Sequence, residues 1–169
     1  MTHKYCLDTS GFSNPLMDMP EDIHKTLWPS VVSKIDAHLF CWNMEIAAEM
    51  SSIQGAVGAA LNNCNGSCCF VEGEGSWNWA SYIATNNAWR TRFKPYISEY
   101  NGNRKNTIGL NDLSIVALAH TLELPVVSME APNMGQPSQT KLRIPDLCKV
   151  VHVQHFNFTQ LCRKEGISG

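Results

Sequence analysis

Residues 4–11 read KYCLDTSG, a short apolar and β-prone segment that leads into an acid, two hydroxyl residues and a glycine. This pattern predicts a strand over Lys4–Leu7 that ends in a polar turn beginning at Asp8. Further short apolar segments recur along the chain, and helical patterns separate them. Such an order implies crossover connections and a mainly parallel sheet.

The strand and helix signals continue to the end of the chain. Further strands are predicted at His38–Trp42, Leu124–Ser128 and Val150–Val153. Helices are predicted at Leu27–Ile35, Met44–Leu61, Trp77–Phe93, Asn111–Leu122 and Phe156–Arg163, with loops up to Asp22, over 62–76 and over 95–109. We therefore expect an α/β protein with three layers, α/β/α, a short mainly parallel central sheet, and a single domain over residues 1–169.

The overall composition is that of a globular protein without a basic surplus. Hydrophobic residues make up 44% and charged residues 17% of the 169 positions, the formal charge is −2 and the pI is about 6.3. A nucleic-acid site must therefore be a local basic patch. Because no apolar run approaches the ~18 residues of a membrane helix and no leader pattern opens the chain, we expect a cytoplasmic protein without a membrane partner.

The cysteines favour a reducing compartment. Their number, seven, is odd, and several are expected to pack as small hydrophobic residues. Cys64, Cys68 and Cys69 have the spacing C-x3-C-C, without a paired C-x2-C or a nearby histidine. A cluster in a loop or at a helix end is therefore favoured over a structural zinc site.

Three acids are expected at one edge of the sheet. Asp8 and Glu130 follow predicted strands, and Asp112 lies in the first turn of an apolar helix. Singly, Asp8 fits a turn residue, Glu130 a solvated acid, and Asp112 a capping acid with Asn111 as the cap. Together they predict a cluster whose mutual repulsion requires cations. Hard carboxylate oxygens suit Mg²⁺ or Mn²⁺ and not zinc.

Four segments resemble motifs of the PIN-domain family in the same order, and the match runs from about residue 4 to residue 162. Asp8-Thr9-Ser10 resembles the opening D-[TS]-[SN], and Val126–Glu130 resembles the family's VVT-x-[DE] strand end. Residues 110–119 resemble its D-x-x-[LI]-[IV]-A-x-A helix, and residues 143–148 resemble a K-I-P-D-V-C motif of one prokaryotic PIN-like subfamily. Residues 62–109 match the family poorly.

The resemblance implies a fourth acid in the helix after the second strand. Glu45 and Glu49 both lie there, and Glu49-Met50 fits the family's E-L pattern better than Glu45-Ile46 does. We therefore predict Glu49 as the ligand and Glu45 as a neighbour that supports the site from one helical turn away. The chain departs from the usual pattern at Glu130, where many members have Asp, and at Ser128, where Thr is usual.

The resemblance further implies a metal-dependent nuclease, an endoribonuclease of the toxin type, with RNA as the expected substrate and DNA as the alternative. One or two Mg²⁺ or Mn²⁺ ions would activate water and stabilise the leaving oxygen. The predicted ligands and catalytic residues are Asp8, Glu49, Asp112 and Glu130, supported by Thr9, Ser10, Asn111 and Ser128. Arg104 and Lys105 are predicted to bind substrate phosphate. Many small family members are toxins with an antitoxin partner, and many form homodimers.

Three other functions are alternatives to a nuclease. A non-catalytic PIN-like module that binds RNA or a partner protein would share the fold. A phosphatase of the haloacid-dehalogenase type needs a second Asp two residues after the first, where this chain has Ser10. A cysteine hydrolase is disfavoured because no Cys–His pair has a recognisable local signature.

Overall fold

Four short parallel strands form the centre of the protein, and a computed structural model describes residues 3–64, 77–133 and 141–169. The strand order is β2-β1-β3-β4, with all neighbours parallel. The strands are β1 (Tyr5–Leu7), β2 (Phe40–Cys41), β3 (Val126–Val127) and β4 (His155–Phe156). Cys6 is the Cα partner of Cys41 on one side and of Val126 on the other. The α/β class and the mainly parallel sheet predicted from the sequence are confirmed.

Within the described residues, nine α-helices surround this sheet. They are α1 (Ser10–Asp18), α2 (Leu27–Asp36), α3 (Met44–Met50), α4 (Gly55–Asn63), α5 (Trp79–Arg92), α6 (Ser98–Asn101), α7 (Leu110–Leu122), α8 (Ile144–Val150) and α9 (Phe158–Glu165). Helix α7 packs on β1 and β3 and against α3, α5 and α8, whereas α1 packs against α9 and α2 against α4. The arrangement has three layers, with the sheet in the middle.

Helix α7 supplies the most deeply buried helical segment. Its residues Leu113–Ala119 are all buried, as expected for a helix that is apolar on nearly every side. The next residues in the chain, Glu123 to Pro125, return it directly to β3. Since α7 precedes β3 and packs beside it, its first turn lies at the carboxyl edge of the sheet, which is where ligands of open α/β sheets collect.

The loop predicted between Asp8 and Asp22 is wrong in its first half, because it contains α1. Residues such as Gly11 and Pro15 favour turns, but burial of Phe12, which is 0% exposed, stabilises the helix instead. Gly11 permits close packing. A Cβ there would lie 2.9 Å from Leu7 Cδ1 and 3.0 Å from the carbonyl oxygen of Val127. Helix α1 therefore lies directly on the ends of β1 and β3.

The predicted helix from Met44 to Leu61 is interrupted at residues 51–54, which separates α3 from α4. Ser51 and Ser52 each donate a side-chain hydrogen bond to a carbonyl oxygen of the last turn of α3, which ends the helix there. Gly55 then adopts φ 78°, and Glu21 accepts hydrogen bonds from the two following amides. The Asn43 cap is confirmed, with Ile46 N donating to Asn43 Oδ1 over 3.1 Å.

The predicted strand at Val150–Val153 is also wrong. Residues Ile144–Val150 form α8 instead, and the strand β4 follows at His155–Phe156. The buried residues Ile144, Leu147, Cys148 and Val151 recur at helical intervals, which a short apolar run does not reveal by composition alone. The last helix, α9, starts at Phe158 and therefore two residues later than predicted.

Three other predictions concern loops, cysteines and membrane helices. The loop predicted over 95–109 is wrong in part, because this segment contains α6 and overlaps a 3-10 helix at Lys94–Tyr96. The thiol of Cys64 donates to Ile35 O, while Cys68, Cys69 and most of the predicted loop at 62–76 lie outside the described residues. No helix in the described part of the chain has the length and apolar composition needed to cross a membrane.

Candidate functional site

Four carboxylates from four elements meet at the carboxyl edge of the sheet, and we call them the acidic centre. Asp8 follows β1 and Glu130 lies shortly after β3. Asp112 lies in the first turn of α7, and Glu49 lies in the last turn of α3. The charges of the other three acids each add to the rise in the pKa of Asp112, and those of Glu130 and Glu49 also add to the rise in the pKa of Asp8.

Asp8 is the most buried member of the acidic centre, with 4% of its surface exposed. Its Oδ2 accepts hydrogen bonds from the backbone amide and the hydroxyl of Ser10, at 3.1 and 2.5 Å. The same hydroxyl accepts from Met129 N at 3.0 Å, so Ser10 ties Asp8 to the end of β3. Burial, with smaller contributions from the charges of Glu130 and Glu49, raises the pKa of Asp8 to about 6 although the Ser10 hydrogen bonds oppose this.

Asp112 both contributes to the start of α7 and belongs to the acidic centre. The residue that caps α7 is Gly109, so the expectation that Asn111 would be the cap is wrong. The backbone amide of Gly109 donates to the Asp112 carboxylate, which is the acid half of a capping box. Burial raises the pKa of Asp112 to about 8, and the charges of Asp8, Glu130 and Glu49 add to the rise.

Glu49 reaches the acidic centre, whereas the described electrostatic contact of Glu45 is with Tyr82 on α5. Glu49 is exposed, and it accepts hydrogen bonds from Thr9 Oγ1 at 3.4 Å and from Asn111 Nδ2 at 3.0 Å. Glu45, one turn earlier, is also exposed, and its charge adds to the burial that raises the pKa of Tyr82. Glu45 does not contribute to the raised pKa of Asp8 or Asp112.

Glu130 and Ser128 have partners on the elements next to the site. Glu130 Oε2 accepts a hydrogen bond from the amide of Ile144, at the start of α8, over 2.8 Å. Ser128 is fully buried, and its hydroxyl lies 2.7 Å from His155 Nε2. Its hydroxyl therefore pairs with β4 and makes no described hydrogen bond to the four acids.

The predicted phosphate-binding residues, Arg104 and Lys105, are exposed in the segment between α6 and α7. A third cation, Arg143, joins them, because its Nη2 donates to Asn106 Oδ1 over 2.6 Å. No sequence pattern singles out Arg143 as a phosphate-binding residue, although it is the first residue of the tail motif. It directly precedes Ile144, whose amide binds Glu130.

A fifth carboxylate near the site, that of Glu99, was also missed. Both of its oxygens accept from the amide of Leu110, at 3.1 and 3.0 Å. A Cβ on Gly109 would lie 3.4 Å from Glu99 Oε1 and 3.6 Å from Asp112 Oδ2, so the two carboxylates flank the start of α7. The parallel bridge between Ile97 and Ile108 brings Glu99 there, and no sequence pattern predicts that bridge.

The chemistry of the acidic centre fits a divalent cation. Across residues 3–64, 77–133 and 141–169, the ion pairs are Lys4–Glu165 and Lys34–Glu165, so no described lysine or arginine neutralises the four acids. The atoms that could bind a metal are all carboxylate oxygens, which Mg²⁺ and Mn²⁺ prefer. In that same part of the chain, no three acid, histidine or cysteine side chains already converge as a metal-holding group. Binding therefore requires rotation of the longer side chains, of which Glu49 is exposed.

The fold and this site define an α/β protein with a parallel four-stranded sheet and an uncompensated acidic centre at its carboxyl edge. Residues 5–168 match the model of the family described as domain of unknown function DUF4411, and the chain belongs to that family. A comparison with curated proteins found no match.

Proposed function

We propose that this protein is a nuclease that depends on Mg²⁺ or Mn²⁺ and hydrolyses phosphodiester bonds in single-stranded RNA. The observation that carries the proposal is the electrostatic state of the acidic centre. Two of its carboxyls, Asp8 and Asp112, have pKa values raised to about 6 and about 8, without a described cation beside them. A divalent cation that binds there stabilises the ionised form of these carboxyl groups.

The residues of the acidic centre would hold the cation and respond to it through their protons. In the metal-free protein, Asp112 retains its proton at neutral pH because its pKa is about 8. Cation binding favours the ionised carboxylate, so the proton is released. Ser10 fixes the orientation of Asp8, and Asn111 and Thr9 hold Glu49 beside it. A bound divalent ion would lower the pKa of a water molecule and stabilise negative charge on the phosphate and on the leaving oxygen.

Nucleic acid is the substrate class that the surroundings favour. Arg104, Lys105 and Arg143 form a local group of cations on the segment before α7 and at the start of α8. Such a group can bind backbone phosphates in a protein whose net charge is −2. The choice of RNA over DNA comes from the resemblance of the Asp8, Asp112 and Glu130 motifs to PIN domains.

The partners follow from the same resemblance and remain proposals. An antitoxin protein that blocks the acidic centre and a homodimer are both common among small PIN proteins. The main rival is a non-catalytic PIN-like module that binds RNA or a protein. It would keep the cations around Arg143 while the acids have no catalytic role.

Cleavage of a labelled single-stranded RNA in Mn²⁺ separates these functions. The wild type should cleave, and Asp8→Asn and Asp112→Asn should each lower the rate at least about 10³-fold, equivalent to several kcal/mol of lost transition-state stabilisation. Glu49→Gln should have a similar effect because Glu49 lies in the same centre.

Glu45→Gln is the matched control, because Glu45 is an exposed acid on the same helix as Glu49 but lies outside the acidic centre. We expect its rate to stay within about twofold of the wild type, as for surface changes away from a site. RNA binding without Mn²⁺-dependent cleavage would contradict the nuclease proposal and support the binding module. Equal losses in Glu45→Gln and Glu49→Gln would contradict the assignment of the centre.

A further inference from the structure

A groove of about 630 Å³ opens beside the acidic centre, between α1 and the segment that connects α3 to α4. We call it the α1 groove. The residues that line it include Ser13, Leu16, Met17, Pro20, Ile53 and Gln54.

The α1 groove adjoins the acidic centre on the side of Glu49. Thr9, which donates to Glu49, is followed one turn later by Ser13, and Ser13 lines the groove. On the opposite side, the hydroxyl of Ser52 donates to the carbonyl oxygen of Glu49 over 2.9 Å, and Ser52 also lines the groove. One helical turn is about 5.4 Å, so the groove starts one turn along α1 from the contact between Thr9 and Glu49.

The charges of the groove disfavour a phosphate and admit an uncharged group. The described residues that line it include the acids Glu21 and Asp22 but no lysine or arginine. The Glu21 carboxylate is already engaged, because it accepts from the amides of Ala56 and Val57 at 3.2 and 3.0 Å. These two hydrogen bonds hold the segment around Glu21 against the start of α4, so this side of the groove has a fixed position.

The remaining surface suits a flat heteroaromatic ring. Leu16, Pro20 and Ile53 offer apolar faces, and Met17, 81% exposed, offers a flexible thioether that makes favourable contacts with aromatic rings. The Gln54 amide makes no described side-chain hydrogen bond at the start of α4, and it presents both a donor and an acceptor. Unstacked bases of single strands are recognised in this way, by a ring face and by the polar edge.

We propose that the α1 groove binds one unstacked nucleobase of the strand whose neighbouring phosphate lies at the acidic centre. This inference rests on the proposed nuclease function and adds a determinant of base preference to it. The phosphate backbone then runs from the groove past the four acids toward the cations Arg104, Lys105 and Arg143, so base and phosphates contact different surfaces.

Methyl NMR of the full chain tests the groove without catalysis. The protein, labelled with [methyl-¹³C]methionine and kept free of metal, is titrated with each of the four ribonucleosides. These probes are uncharged, so the acids do not repel them. We expect a saturable shift of the Met17 methyl signal, assigned from Met17→Leu. The Met44 methyl is the internal control, because Met44 is 59% exposed and lies outside the groove. Absence of a Met17 shift, or equal shifts at both residues, would overturn the proposal.

Cleavage of an RNA pool with randomised bases gives a second test. Met17→Ala and Gln54→Ala should change the preference for the base beside the cleaved bond by about tenfold, whereas Met44→Ala should not. Thermal unfolding confirms that each variant is folded. Cleavage with unchanged preference in both variants would refute the groove and leave the nuclease intact. A Met17 shift in a wild type that does not cleave would refute the nuclease and retain nucleobase binding.

Discussion

Buried carboxylates at the two edges of the central sheet have opposite electrostatic surroundings. At the amino edge, Glu165 is 8% exposed, accepts a hydrogen bond from Tyr5, and has Lys4 and Lys34 each 3.8 Å away. At the carboxyl edge, Asp8 is similarly buried but has a hydroxyl, an amide and other acids around it. The protein itself supplies cations at one edge, and at the other it leaves negative charge to be compensated from outside.

The partners of the two acids therefore distinguish a charge that the fold balances from one that it does not balance. Glu165 links α9 to the start of β1, and Lys4 and Lys34 balance its charge within the fold. The raised pKa values of Asp8 and Asp112 show that the acidic centre is electrostatically unfavourable for the metal-free fold. Acids kept at such a cost point to a ligand, which is why the comparison leads to a cation site.

The largest expected effect concerns the amino edge. Glu165→Ala should lower the free energy of unfolding by about 3 kcal/mol, because the buried Tyr5 hydroxyl loses its acceptor and two lysines lose their partner. Urea unfolding of the metal-free protein at pH 8 measures this. Asp8→Asn under the same conditions should be neutral or stabilising. If Asp8→Asn destabilises the protein as much as Glu165→Ala does, the contrast between the edges is wrong.

Metal binding should act on the carboxyl edge alone. At pH 8 and 100 times the dissociation constant, Mn²⁺ should add about 2.7 kcal/mol to the free energy of unfolding. Asp112→Asn should lose most of this gain, since Asp112 interacts with the other three acids. Glu45→Gln should retain it. Thermal unfolding across a Mn²⁺ series provides the measurement, and an undiminished gain in Asp112→Asn would count against a cation at this centre.

The smallest effect is a pH dependence of the metal-free fold. The pKa values of Asp8 and Asp112 rise from the ordinary value of 3.8 to about 6 and about 8, so the folded state holds more protons than the unfolded state in this range. By linkage, the free energy of unfolding should fall as the pH rises from about 4 to about 8, because the folded state must then release the protons that it holds in excess. Urea unfolding at several pH values measures the slope.

Asp112→Asn should flatten this slope more than Asp8→Asn, because the pKa of Asp112 is raised further. Saturating Mn²⁺ should also flatten or reverse it in the wild type, since the cation favours the ionised acids. A slope that is identical in Asp112→Asn and the wild type would show that this carboxyl titrates normally.

The sequence predicted the positions of the acids better than it predicted their surroundings. Asp8 and Glu130 follow short apolar strands, and the parallel order of those strands is enough to bring them to one edge. Glu99 and Arg143 were missed because they arrive through the Ile97–Ile108 bridge and the contact with Asn106. These pairings join segments that carry no periodic hydrophobic pattern.

Local signals failed where tertiary packing determined the structure. The turn-forming composition around Pro15 hid α1, whose stability comes from the burial of Phe12 against the aromatic rings of Phe40 and Trp28. The apolar run at Val150–Val153 resembled a strand, because four residues are too few to distinguish a helix end from a strand.

Gly11 sets how closely α1 approaches the strand ends that carry Asp8 and the segment before Glu130. The Val127 carbonyl that lies 3.0 Å from a Cβ at position 11 is the one that accepts the Asp8 amide, over 2.9 Å. Even one methyl group at this position would press on the backbone anchor of Asp8 and tilt α1 away from the strands. A screen for inactive variants should therefore recover substitutions at position 11 as well as at the acids, because only glycine fits the space there.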